Sequence, residues 1–390
     1  MNTTRKNQIV FYLFSFLIGF YLANGTTVLF ERVLNFSYSQ IFTLGAVYML
    51  MFVIFNVPAG ALADIIGRKK TLMLGSLMLV VGATATGLSH NFLQVFFSFF
   101  AWACGFSLII GADQALLYDV TSSDTEYAKG WGKASFFALI GTAAAGVVGP
   151  MLYAVNFRYP YLFSALPFFL AGIVIMFFKE NRQPVKFSWK DYKHNNITGI
   201  KMAFKNKHVL WATGVLALAF GVMYTFTNSY QPYLTGVGFS VKAFSIILPI
   251  MFLIQAGGGG IAGRLYEKWG DGKVFILSLV GIALALGALG LFATQLSLSF
   301  LFIYNFLQGL LDPVASAYTN RHIGGELRAT IISAQTMVAT ITAAAMLFLF
   351  GALTDRVGLH NLLIILGSIV FVGGGLLLIF KPKGQTASQI

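Results

Sequence analysis

The sequence predicts an all-α integral membrane protein of twelve transmembrane helices in two pseudo-symmetric six-helix bundles. Three observations carry that prediction. The 390-residue chain is 57% hydrophobic and only 10% charged, with mean hydropathy +0.77, whereas a soluble domain devotes about a quarter of its residues to charge. Its apolar residues gather into twelve runs long enough to cross about 30 Å of hydrocarbon, which takes about 20 helical residues. A single long polar stretch divides those runs six and six.

The runs lie at about 8–30, 40–62, 71–88, 92–117, 131–155, 160–178, 208–231, 241–263, 273–293, 297–318, 329–352 and 362–380. Hydrocarbon offers no water to unpaired N–H and C=O groups, so each run is read as a helix; the period-two pattern of a membrane barrel is missing. The first run is longer than a signal-peptide core and lacks a small-residue cleavage site, so it is expected to be retained. The one cysteine, Cys104, lies inside the fourth run and forms no intrachain disulfide.

Orientation follows from Lys and Arg, which accumulate on the cytoplasmic side. With both termini inside, all of them except Arg32, Arg158, Lys242 and Arg356 fall on the inner face. The chain is therefore expected in the cell membrane, with both ends cytoplasmic. The same asymmetry accounts for the net charge of +13, so nucleic-acid binding is not expected.

The polar stretch "KENRQPVKFSWKDYKHNNITGIKMAFKNK" starts at Lys179. It sets the domain reading: a first bundle at 1–180, a linker at 181–207 and a second bundle at 208–390. With Phe187, Trp189, Tyr192 and Ile197 among lysines, the linker reads either as a segment on the inner membrane surface or as a flexible basic tether. An internal repeat supports the two halves. Gly60, Asp64 and Gly67 stand at i, i+4 and i+7 after the second run; Gly263, Glu267 and Gly270 repeat the spacing after the eighth. A third copy, Gly351, Asp355 and Gly358, falls on the outer side in this topology and is set aside.

"GALADIIGRKK", Gly60 to Lys70, resembles the signature between the second and third helices of the major facilitator superfamily, and the resemblance extends over the whole chain. "GADQALLYD" and "RATIISAQTM" further resemble a bacterial branch of efflux or multidrug transporters. The resemblance implies that Asp64 contacts the start of the eleventh helix and that Arg68 pairs with an acidic residue ending the fourth, here Asp119. Gly60, Asp64, Gly67, Arg68 and Asp119 are accordingly expected to form a cytoplasmic gate, with Lys69 and Lys70 marking the inner face. The intramembrane arginine of many relatives is replaced here by Ala101, so its proton relay does not carry over. "GTAAAGVVGP", with Gly141, Gly146, Gly149 and Pro150, resembles the antiporter signature of drug exporters; close helix packing explains the same glycines.

Polar residues inside spans are costly and default to functional candidates. On the tenth helix Asn305, Gln308, Asp312, Ser316 and Thr319 share one face at about 100° per residue. Asp312, expected to be buried, is the first candidate for a proton or cation site, against a purely structural carboxyl. The fourth helix shows Ser107, Gly111, Gln114 and Tyr118, with Asp113 beside them as a second site or a gate residue. Tyr21 and Asn24, Tyr224 and Asn228, and Gln255 are further cavity candidates or helix-packing contacts. A cavity of this kind, in a chain with 39 Phe and 16 Tyr, suits a hydrophobic, amphipathic or weakly cationic ligand rather than a phosphate.

Gly258, Gly260 and Gly263 satisfy G-x-G-x-x-G, but no strand precedes them and they lie in a span, so no dinucleotide site is expected. The five histidines show no metal spacing, and neither a P-loop nor a nucleophile elbow is present in the sequence. No enzyme activity, cofactor or metal is expected. The expectation is a monomeric secondary transporter working by alternating access, with a small-molecule substrate, coupled protons and the lipid bilayer as partners. Proton-coupled export is the first reading, and a coupled importer or facilitator of a neutral metabolite the second.

Overall fold

The computed structural model describes residues 3–121, 123–180, 206–323 and 328–382. Most of the predicted linker lies outside them. Among the described residues there are fourteen α-helices and no strand. The first eight are α1 Thr3–Gly19, α2 Thr27–Val33, α3 Tyr38–Ile66, α4 Arg68–Leu88, α5 Phe92–Ile109, α6 Ala112–Tyr118, α7 Asp124–Val155 and α8 Tyr159–Met176. The rest are α9 Lys207–Thr227, α10 Tyr230–Gly236, α11 Phe244–Leu291, α12 Leu298–Arg321, α13 Arg328–Val357 and α14 Leu359–Ile379.

Among the described residues, ten stretches are long and apolar enough to cross a membrane. One of them, Val241–Leu291, covers two of the twelve predicted runs, and the other departures from one helix per run have local causes. The first predicted span is split into α1 and α2 by residues 20–26, and the seventh into α9 and α10 at Asn228 and Ser229. The fourth is split into α5 and α6 at Ile110 and Gly111, where Gly111 takes φ 93°. The eighth and ninth runs both fall within α11, whose two helical parts are separated by the non-helical φ 74° and ψ 162° of Gly270.

Helix starts follow short polar side chains. Asn91 Oδ1 accepts from Gln94 N–H at 3.1 Å before α5, and Ser123 Oγ accepts from Glu126 N–H at 3.2 Å before α7. Asn206 Oδ1 accepts from His208 and Val209 N–H before α9. Such caps satisfy donors that a helix cannot pair internally.

The chain divides into two compact units. The first comprises Met1–Phe36, Val47–Phe187 and Ser240–Pro249; the second comprises Ser37–Ala46, Ser188–Phe239 and Ile250–Ile390. Without a hydrophobic drive between helices in lipid, packing depends on close backbone approach. In the first unit α4 and α5 meet at Gly75 and Gly105, where an added Cβ on either would lie 3.0 Å from the other's carbonyl oxygen. Tyr21, Trp102, Tyr161 and Phe168 form an aromatic cluster between the helices. In the second unit α11 and α12 cross at Gly258 and Gly309: a Cβ on Gly258 would meet Phe306 O at 2.2 Å, and one on Gly309 would meet Gln255 O at 2.0 Å. That crossing gives Gly258, in the run resembling a nucleotide motif, a packing role.

Candidate functional site

The second unit holds a recess of about 110 Å³ between α9, α12 and α13. Asp312, Ser316 and Thr319 enter it from α12, Gln335 and Thr336 from α13, and Leu216 and Phe220 give the apolar wall of α9. Asp312 is its one ionisable lining residue, and it is exposed. This corrects the expectation of burial: the α12 face on which it stands opens onto the recess, and hydropathy does not reveal which face of a span is covered. Gln335 is 3% exposed and anchors the back of the recess. Its Nε2 lies 3.2 Å from Val209 O, 3.1 Å from Thr213 Oγ1 and 3.4 Å from Thr319 Oγ1, joining three helices through one amide.

The rest of the predicted α12 face is sealed. Asn305 is 6% exposed and donates to Leu301 O at 2.8 Å on its own helix. Gln308 is equally buried, and its Oε1 has no hydrogen-bond partner among the described residues. An orphaned buried acceptor is rare, and a bound water or substrate donor would satisfy it.

The residues expected to form a gate are built around helix ends. α3 and α4 meet at Gly67, whose φ 97° and ψ 148° belong to a region that side-chain-bearing residues enter only under strain. Arg68 follows, and its Nη1 pairs with Asp119 Oδ2 and donates to Ala115 O at 2.6 Å. It thus caps the C-terminus of α6, where a cation complements the helix dipole. Asp64 is half-buried and Gly60 exposed. The contact implied for Asp64, at the start of the eleventh helix, falls at residues 328–330, whose side chains lie outside those described. Lys69 does more than mark a face. Its Nζ donates to Met176 O at 2.8 Å and to Phe178 O at 3.1 Å, at the end of α8.

Other candidates divide by environment. Asp113 Oδ1 accepts from Gly111 N–H at 3.0 Å and from Gln114 N–H at 2.7 Å, so it holds the break between α5 and α6. Gln114, Gly111 and Tyr118 are exposed, while Ser107 is buried and donates to Phe52 O. Tyr21, half-buried, and Asn24, exposed, stand at the break after α1. Asn228 stands at the corresponding break after α9, and its Nδ2 donates to the carbonyl of Tyr224 in the last turn of that helix at 2.8 Å. Gln255 is half-buried beside the glycine crossing. On α7, Gly149 and Pro150 are buried, and a Cβ on Gly149 would meet Leu22 O at 1.9 Å. A Cβ on Gly146 would lie 3.6 Å from Leu248 and Pro249. These contacts give the antiporter-like glycines a packing role.

Several residues escaped sequence reasoning. Glu31 is 3% exposed and forms no ion pair among the described residues; a single acid just past an apolar run carries no periodic signal. Glu180 accepts from Arg68 N–H at 2.8 Å and caps α4. Lys381 pairs with Asp271 at 3.0 Å, over the rings of Trp211, Phe275 and Tyr318. His208 and His322, read as scattered, stack with centroids 4.1 Å apart, and His208 Nδ1 lies 2.9 Å from Tyr318 Oη. Their separation in sequence hides each pair. No group of three His, Cys, Asp or Glu able to hold a metal occurs among the described residues.

Known proteins share this architecture. Multidrug resistance protein 2 of Bacillus subtilis (strain 168) is 22% identical over 379 residues, covering 93% of this chain and 91% of that protein. Quinolone resistance protein NorA of Staphylococcus aureus (strain MRSA252) is 23% identical over 266 residues, covering 66% of this chain and 64% of its own. The crystal structure of a D-xylose-proton symporter superposes with a TM-score of 0.79 at 13% identity, covering 98% of both chains, which shows a common fold. The family model of the Major Facilitator Superfamily matches residues 9–344, and the chain belongs to that superfamily of membrane transporters.

Proposed function

We propose that the chain exports small hydrophobic or amphipathic compounds in exchange for protons. Its halves, 1–180 and 208–390, alternate access to a central site, with both termini in the cytoplasm of a bacterial cell. The observation that carries the reading is Asp312: one carboxylate in a recess whose other walls are apolar or neutral. A recess of about 110 Å³ takes one functional group rather than a whole drug-sized molecule, whose pockets run to about 300–1,000 Å³. A carboxylate there attracts a cationic or hydrogen-bond-donating group, and the same oxygen can take a proton instead, which is the competition an exchanger needs. The names of the relatives, a multidrug resistance protein and a quinolone resistance protein, support export. On this reading the Arg68–Asp119 pair holds the cytoplasmic gate.

The test is proton release from purified protein when ethidium or tetraphenylphosphonium is added, comparing wild type with Asp312→Asn, followed by ethidium transport in vesicles carrying a proton gradient. Release by wild type that the variant loses, with gradient-driven uptake into inverted vesicles, is the expected result. Binding without proton release in either protein overturns proton exchange.

A further inference from the structure

The third copy of the glycine and aspartate spacing, set aside on sequence, is engaged in the structure. α3 begins at Tyr38, and four backbone donors at that end need partners. Ser37 and Gln40 serve two of them in a capping box: Gln40 N–H donates to Ser37 Oγ at 3.2 Å, and Ser37 N–H donates to Gln40 Oε1 at 3.0 Å. The two donors between, Tyr38 N–H and Ser39 N–H, each donate to a different oxygen of Asp355, both at 2.8 Å. Asp355 belongs to α13, 317 residues away from Tyr38.

One turn earlier on α13, Gly351 makes this approach possible. A Cβ there would lie 2.8 Å from Phe42 Cβ and 3.1 Å from Ser39 Cα. Gly45, further along α3, meets Leu347 of α13 at 3.3 Å in the same sense. Gly358 then turns the chain into α14 with φ 81° and ψ 164°, close to the backbone of Gly67 and Gly270. The three copies therefore share one construction: a glycine at the start, an acid one turn later and a glycine-only corner. All the contacts named here lie within the second unit, to which the first turns of α3 belong, while the remainder of α3 belongs to the first.

We propose that Asp355 is the latch of a second gate, at the end of α3 opposite the Arg68–Asp119 pair. The inference rests on the alternating-access reading and adds the element that closes the other side. α3 is 29 residues long, about 43 Å at a rise of about 1.5 Å per residue, so its two ends can serve two gates. The chemistry suits a contact made and broken in each cycle. A carboxylate on two N–H groups at a helix N-terminus gains from charge-assisted bonds and from the helix dipole. Asp355 is exposed, so water replaces both bonds when the helices part, and no buried charge is left behind. An apolar seam in the same place would have no such substitute.

The test places spin labels at two exposed positions on this side, Leu88→Cys and Leu296→Cys, in a Cys104→Ser background, and reads their distance distribution in lipid nanodiscs. Asp355→Asn and Asp355→Ala are expected to raise the ratio of long to short distances about five- to thirty-fold, while Asp355→Glu keeps it near wild type. Unchanged distributions in both neutral variants overturn the latch. A measurement on the unmodified protein guards against misfolding: hydrogen exchange over residues 37–42 is expected to show two populations, protected and open, and a single protected population counts against the proposal. Neither readout uses a substrate. A chain that moved no ethidium yet opened on loss of Asp355 would overturn the export reading alone.

Discussion

Arg68 serves two acceptors from one nitrogen, the side chain of Asp119 and the carbonyl of Ala115. Its own N–H is held by Glu180. A lysine at this position keeps the charge but offers a point donor on a flexible stem in place of a planar fork. We expect Arg68→Lys and Asp119→Asn each to weaken the structure, and the double variant to be no worse than the more damaging single. The side chains are 25% and 32% exposed, so the coupling in a double-mutant cycle of unfolding free energy should be about 0.5–1 kcal/mol. Strictly additive effects would show that the two do not act as a pair. This pairing was legible because a spaced motif points to it. Glu31 and Gln335 were not, since one buried polar residue in or just past an apolar run looks the same whether it faces lipid, a recess or another helix.

At the scale of elements, the corners matter more than the spans. Gly67, Gly270 and Gly358 have φ of 97°, 74° and 81° and ψ of 148°, 162° and 164°, a region that costs a side-chain-bearing residue about 1–3 kcal/mol. Around Gly270 and Gly358 nothing lies within 4 Å of an added Cβ. Their replacement by alanine should therefore destabilise through the backbone alone. Gly60, in the same motif, is helical and also has open space, so Gly60→Ala should be neutral or stabilising by about 0.4–1 kcal/mol. Thermal unfolding of the three variants checks the contrast, and an equal loss for Gly60→Ala and Gly270→Ala would refute the backbone account. Hydropathy located nearly every helix, because crossing hydrocarbon is a matter of length and composition. It missed the breaks after α1, α5 and α9, because a break depends on backbone angles and caps that leave the apolar count unchanged.

For the whole molecule, the duplication seen in the sequence extends to how each half is closed, with the charges exchanged. After α8, the acid Glu180 returns to the start of α4; after α14, the base Lys381 returns to Asp271, just past the Gly270 corner. Neither closure was legible, since Glu180 lies 112 residues from Arg68 and the repeat itself covers only the corner. The halves thus keep the geometry and differ in what fills it. In the second, the ammonium also lies 5.7 Å from the Trp211 centroid, 5.8 Å from that of Phe275 and 5.5 Å from that of Tyr318. Two contributions of similar size are therefore at work, a half-buried ion pair of about 0–1 kcal/mol and a cation over aromatic faces of about 0.5–1 kcal/mol. Lys381→Glu alone should lose both and set two carboxylates against each other. Adding Asp271→Lys restores an ion pair with the polarity reversed, but leaves a carboxylate over the rings. The double variant should therefore recover about half of the stability lost, read from the thermal shift of tryptophan fluorescence, to which Trp211 reports directly. Full recovery would mean that the rings contribute nothing, and no recovery would mean that the pair itself does not hold the end of α14.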